Sequence, residues 1–327
     1  MKQKLLFFSL IIELTVILFL GLDIHTKQRG KMDASISPIA KKNITFVQDK
    51  LQYFFEPLPG SGSITFEVPQ WLTYEPVYTI NSDALNDGSE YQIEKPKDTY
   101  RIITLGDSFT FGLYVNTHDN YSETLEHFLN STSCKDTSKF EVINLGVPSY
   151  DIQYSAERFK KRGVKYDPDL VIWFVQQGTF SKMQELISQR VQQGDEIKDS
   201  KAAARAGEDI VREIGEENIV EYQSSFLADF GSIYKKELLM YTLTNQLWGK
   251  PEKNVENLVR KHPAWHFYKS LLNLREDDAL FPDYHPNEKG HLLIAQDLYE
   301  YLRSSKIVSC DYGHHTMKPH LKVTINE

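Results

Sequence analysis

The chain has 327 residues, of which 41% are hydrophobic and 25% charged. That supplies enough apolar material for one catalytic domain of roughly 200 residues with smaller pieces attached, and it excludes wholesale disorder. The formal net charge of −8 argues against nucleic acid as a partner, because a polyanion selects a basic surface.

The first element is an apolar run from Leu5 to Leu22, preceded by Lys2 and Lys4. At 1.5 Å per residue it reaches about 27 Å, close to the roughly 30 Å hydrocarbon core of a bilayer. Glu13 interrupts it, and no small-x-small cleavage site closes it. Residues 1–23 therefore read as an uncleaved, single-pass membrane anchor in preference to a cleaved signal peptide. Lys27, Arg29, Lys31, Lys41 and Lys42 follow the run, so charge alone does not set its orientation. Residues 24–98 read as a polar linker and then a small β-rich lead-in segment. Its short runs (ITFVQ, YFFEP, SITFEV, VYTI) are punctuated by Pro57, Pro59, Gly60, Gly62 and Pro69.

The pattern changes at Tyr100. RIITL (101–105) is a short apolar strand that runs into Gly-Asp-Ser. Tyr121, Leu125, Phe128 and Leu129 fall at helical spacing. FEVINL (140–145) is a second strand, and Ile152, Ala156 and Phe159 mark a second helix that stops near Gly163. DLVIWFV (169–175) is a continuous apolar run, as expected of a parallel strand buried on both faces. The alternation predicts an α/β domain with a parallel sheet covered on both sides.

Residues from about 180 to 262 are charged and helix-prone and read as a helical insertion, either a lid or a solvated excursion. Leu238, Leu239, Tyr241 and Leu243 form an apolar patch within it. AWHFYKSLL (264–272) is a further strand candidate. Ile294, Leu298 and Leu302, with Ala295 and Tyr301, predict an amphipathic helix against the sheet. Residues 307–327 form a polar tail. Cys134 and Cys310 make no CxxC pair, so a thiolate zinc site is not expected, and one disulfide or two thiols both remain open. His285 and His291 are six residues apart and do not share a helix face, so no metal site is expected there.

Three places carry chemistry. Ser108 stands at a strand's carboxyl end, where a helix begins and where ligands bind in open α/β sheets. Taken alone it reads as a helix cap. Asp283 lies two residues before His285, so a carboxylate can hold the tautomer of an imidazole that takes a serine proton. Asn144-Leu-Gly146 places a glycine at another strand end, where its N–H can serve an oxyanion.

GDSFTFG (106–112), NLGVPSY (144–150) and DYHPNEKGH (283–291) resemble the first, second and last blocks of the SGNH hydrolases, the GDSL-type esterases and lipases. The resemblance covers residues 99–306. It implies a flavodoxin-like three-layer α/β/α sandwich and an ester hydrolase that needs no cofactor. It also implies Ser108 as nucleophile, His285 as base and Asp283 as its orienting carboxylate, with the Ser108 and Gly146 amides in the oxyanion hole. Asp107 matches the first block as a structural residue. The G-x-S-x-G elbow of the α/β-hydrolases is absent, because position 110 is Thr.

One departure stands out. Where the family carries an asparagine after its third strand, this chain reads VQQGTF (175–180), so Gln177, and after it Gln176, is the expected substitute donor. The resemblance and the anchor together lead to the expectation of an extracytoplasmic esterase held at the cell membrane. Its expected substrate is a small-molecule or polysaccharide ester, such as an O-acetyl ester of cell-envelope carbohydrate or lipid. An O-acyltransferase using the same site and a non-catalytic carbohydrate-binding module are the alternatives.

Overall fold

The computed structural model describes residues 51–59, 69–131, 137, 139–194 and 200–308. Its strands are β1 (Thr99–Leu105), β2 (Lys139–Asn144), β3 (Leu170–Phe174), β4 (Glu237–Thr242) and β5 (Trp265–Lys269). They form one sheet in the order β2-β1-β3-β4-β5, parallel throughout. That is the flavodoxin-like order, whose strand ends open a crevice where the winding reverses. The helices are α1 (Ser108–Phe111), α2 (Tyr121–Asn130), α3 (Ile152–Arg158), α4 (Gln177–Phe180), α5 (Gln184–Gln193), α6 (Ser200–Ile214), α7 (Glu216–Ile233), α8 (Gly249–Lys261) and α9 (Glu288–Ser305).

Successive strand side chains point to opposite faces, and that alternation builds two cores. Val171 and Trp173 of β3 join Ile103, Leu105, Leu238 and Met240 beneath α3, α7 and α8. Leu170, Ile172 and Phe174 join Ile102, Val142, Leu239 and Tyr241 beneath α2 and α9. The spacing that predicted α2 and α9 is the spacing that buries Leu125, Leu129, Ile294, Leu298 and Leu302 in this second core. At the far end of the sheet from the crevice, the buried Arg101 donates from Nε to Glu141 Oε2 at 2.6 Å, across the β1–β2 pair. Its other nitrogens reach the carbonyls of Gln92, Ile93 and Tyr166.

Three expectations are corrected. Among the described residues, the segment ahead of β1 is not β-rich; its pairing is a single antiparallel bridge, Ile80 to Asn86. Side chains take the place of a partner strand. Val77 N–H donates to Asn116 Oδ1 at 2.9 Å and Thr79 N–H to Thr117 Oγ1 at 2.7 Å, so the backbone is satisfied without a ladder. Second, the patch at Leu238, Leu239 and Tyr241 is not part of a helical insertion but lies in β4, an inner strand. Third, α7 covers the sheet with Val220, Leu227 and Phe230. Only α5 and α6 are additions, and they share a small core with Met183, Ile219 and Tyr222.

The apolar run 5–22, Cys134, Cys310 and the tail from 309 lie outside the described residues. Among the described residues, no helix is long and apolar enough to cross a membrane.

Candidate active site

The site forms at the carboxyl end of β1. Asp107 caps α1, its Oδ1 accepting the Phe109 N–H at 3.1 Å, and its Oδ2 accepts Gln176 Nε2 at 2.5 Å. Phe109, Thr110 and Phe111 are buried, so three of the four residues of α1 are anchored and Ser108 is left half-buried at the rim. The Thr110 hydroxyl lies 2.9 Å from the Tyr121 hydroxyl. Asn144 Nδ2 donates to the Thr110 carbonyl at 2.9 Å. The Ser108 turn is thus pinned from α2, β2 and the β3–α4 loop.

His285 comes from the loop before α9. That loop is closed by Phe281 N–H to the His285 carbonyl at 2.8 Å and Tyr284 N–H to the Phe281 carbonyl at 2.9 Å. Asn287 then caps α9 by accepting the Gly290 N–H at 3.0 Å. The imidazole Nε2 lies 2.9 Å from Ser108 Oγ. Nδ1 lies 3.0 Å from Asp283 Oδ2, an ion-pair distance. The carboxylate sits off the line of the ring N–H, so Nδ1 makes no aligned hydrogen bond. With the proton on Nδ1, Nε2 is left to accept from the serine hydroxyl. Phe109 and Tyr114 pack on the imidazole at centroid distances of 5.6 and 5.5 Å.

Ser108, Asp283 and His285 therefore meet, although Ser108 and His285 are 177 residues apart. Gly146 does not present the N–H expected of it. The residue is buried and its amide donates to Asn144 Oδ1 at 2.9 Å. A Cβ there would lie 2.3 Å from Phe111 N, so the glycine serves close contact between the end of β2 and α1. The two glutamines divide. Gln176 is the one bonded beside Ser108, through Asp107. Gln177 opens α4 and is half-buried, with Oε1 3.4 Å from Trp248 N.

His291 is fully buried. Its Nδ1 accepts the Tyr121 N–H at 3.2 Å, its ring stacks on Tyr121, and burial pushes its pKa down to about 3. It works as a neutral core side chain between α2 and α9. Two contacts are not legible in the sequence: Gln176's bond to Asp107 and the approach of Tyr114 to His285. No spacing or motif marks either, because both depend on which loops the fold brings together.

No family model matches the sequence, and no curated protein matches it. Among solved structures, the chain is similar to a two-domain esterase active on acetylated mannans. That match has 17% identity and a TM-score of 0.40, over 67% of this chain and 54% of that one. The chain thus spans about half the length of the mannan esterase. It is also similar to a psychrotrophic esterase from Pseudoalteromonas sp., at 14% identity over 63% of this chain and 98% of that one, TM-score 0.41. A lipase/acylhydrolase from Enterococcus faecalis matches at 13% identity over 63% and 96%, TM-score 0.41. The chain resembles the SGNH hydrolases. It departs from them at Gln176 and Gln177, where the family's asparagine is missing.

Proposed function

We propose that the chain is a serine ester hydrolase of the SGNH type. The observation that supports it is the 2.9 Å contact between Ser108 Oγ and His285 Nε2, with Asp283 Oδ2 3.0 Å from the far side of the same ring. A serine hydroxyl is a weak nucleophile until a base takes its proton. His285 accepts that proton as Ser108 attacks the acyl carbonyl, and Asp283 steadies the imidazolium that forms. The proton then passes to the departing alcohol, leaving an acyl-serine. Water, deprotonated by the same imidazole, releases the acid and restores Ser108.

The tetrahedral oxyanion needs donors aimed at it. The Ser108 N–H, at the start of α1, is one. Gln177 is the second: its Oε1 is turned to Trp248 N, so its NH2 group is the end directed elsewhere. The substrate class is an O-acyl ester of cell-envelope carbohydrate or lipid. That choice rests on the apolar run 5–22 acting as an anchor that holds the catalytic domain outside the cytoplasm.

The test is hydrolysis of a short-chain aryl ester by the full-length protein in detergent, beside Ser108→Ala. The variant should be slower by about 10⁴-fold or more. Equal rates would overturn the proposal. Gln177→Ala should slow turnover by roughly 100-fold, and an unchanged rate would remove Gln177 from the oxyanion site.

A further inference from the structure

The segment ahead of β1 is fixed to the Ser108 side of the site. Tyr78 and Ile80 are buried with Phe111 and Leu113, and the Thr117 N–H donates to the Val77 carbonyl at 3.1 Å. The Tyr78 hydroxyl accepts the Tyr114 N–H at 2.8 Å. Tyr114 has φ 74, the left-handed region that bulky side chains rarely occupy, and such a conformation persists only where its surroundings hold it. The residue before it, Leu113, donates its N–H to the Ser108 carbonyl at 3.0 Å. What holds Tyr114 therefore also holds the end of the Ser108 turn.

Two side chains of the same segment reach across to the His285 loop. The Trp71 ring stands edge-on to Tyr114 at 5.2 Å and tilts against Phe281 at 5.4 Å. Tyr114 and Phe281 also meet edge to face at 6.0 Å, so the three rings close a cluster. The Tyr74 hydroxyl lies 2.8 Å from the Tyr114 carbonyl and also meets the Glu288 carboxylate, in the first turn of α9. Phe281 is the residue whose N–H donates to the His285 carbonyl at 2.8 Å. Trp71 and Tyr74 thus each touch both sides of the site. Tyr284, next to His285, is exposed, so the tip of the loop adds little to its own placement.

We propose that Trp71 and Tyr74 are positioning residues that set the distance between Ser108 and His285, by holding Phe281 and Glu288 against Tyr114. This rests on the hydrolase reading above. Neither side chain meets the serine, the imidazole or the substrate in this scheme. They act through the residues they touch, and what they keep is the 2.9 Å contact between Ser108 Oγ and His285 Nε2. A misplacement of about 1 Å at such a contact is enough to slow a reaction by roughly 100-fold.

Trp71→Leu removes the ring bridge and Tyr74→Phe the hydroxyl bridge, at positions that are not fully buried. With the full-length protein in detergent, kcat for a short-chain aryl ester should fall ~30-fold in Trp71→Leu and ~5-fold in Tyr74→Phe, with KM within ~2-fold. Trp71→Phe keeps an aromatic ring and should recover most of the rate. A residue that only stabilised the fold would lower the melting temperature and leave kcat of the folded protein where it was. The His285 ring is followed directly by NMR of histidine-labelled protein, with His285→Gln to assign its signal. That signal should be single in the wild type and in Trp71→Phe, and broader or doubled in Trp71→Leu, where the loop samples more than one position. Should Trp71→Leu fold poorly, Tyr74→Phe, which loses one hydroxyl, carries the same two readings. A His285 signal that matches the wild type in the bridge variants overturns the proposal, and so does an unchanged kcat in an active enzyme. The NMR measurement needs no turnover, so it decides the role of Trp71 and Tyr74 even if Ser108→Ala were to match the wild type and sink the hydrolase reading.

Discussion

The loop that carries Ser108 lies between two cores, whereas the loop that carries His285 lies against the outside of one. Around Ser108, Phe109, Thr110 and Phe111 are buried, Asn144 grips a carbonyl, and Asp107 is held by Gln176. Around His285, Tyr284 is 61% exposed and has φ 70, and Asp283 is partly open to solvent. Ser108 and His285 meet at 2.9 Å all the same. Ser108 is placed by packing that would exist without any chemistry. The His285 loop is placed by a handful of polar and ring contacts, among them Trp71 on Phe281 and the Tyr74 hydroxyl on Glu288. Substitutions should therefore register as lost stability on the first side and as lost rate on the second.

Short of removing the Ser108 hydroxyl itself, the largest effect expected is on the His285 side. Asp283→Asn keeps the shape but offers His285 the wrong partner, and kcat should fall by about 10³- to 10⁴-fold with the melting temperature unchanged. A large drop in melting temperature would break the comparison. Next comes the packed side. Gly146→Ala forces a methyl against Phe111 N and Thr110 C. It should lower the unfolding free energy by about 3 kcal/mol in urea melts.

The smallest effect is in pH response. Glu126, on α2, accepts the Val142 N–H at 2.6 Å, and burial, chiefly, raises its pKa to about 7. Its folded pKa is above the unfolded value, so the folded state takes up the proton first and stability rises as pH falls from about 7 towards 4.5. His291, on α9, has the opposite sign. Its pKa is pushed down to about 3, so the unfolded chain protonates first and stability is lost as pH falls from 6.5 towards 3. Glu126→Gln should remove a gain on the order of 2 kcal/mol between pH 7.5 and 5, measured as the difference between wild-type and variant urea melts.

How much of this was legible in the sequence follows the same division. RIITL, FEVINL and DLVIWFV could be read as strands because parallel strands buried on both faces are apolar throughout. LLMYT in β4 is equally apolar, but it follows a long charged helical stretch and was absorbed into it. That Ser108, Asp283 and His285 meet was legible because they fall, in order, in the GDSFTFG and DYHPNEKGH blocks that carry the resemblance. The Gly146 amide was misread because a glycine at a strand end can offer its N–H or make room for a neighbour. Sequence does not say which; Asn144 Oδ1 decides it. The approach of Tyr114 to His285 was invisible because it depends on a left-handed backbone and on contacts from Trp71, Tyr74 and Tyr78.

β1 lies in the interior of the sheet, between β2 and β3, while His285 stands just ahead of α9, which packs against α2. A chain emerging from the ribosome carries the residues of the Ser108 turn long before His285 is made. The 2.9 Å meeting of Ser108 and His285 therefore waits until residues beyond 285 are out and α9 has closed over the second core. A product truncated before His285 keeps the serine and lacks its imidazole partner.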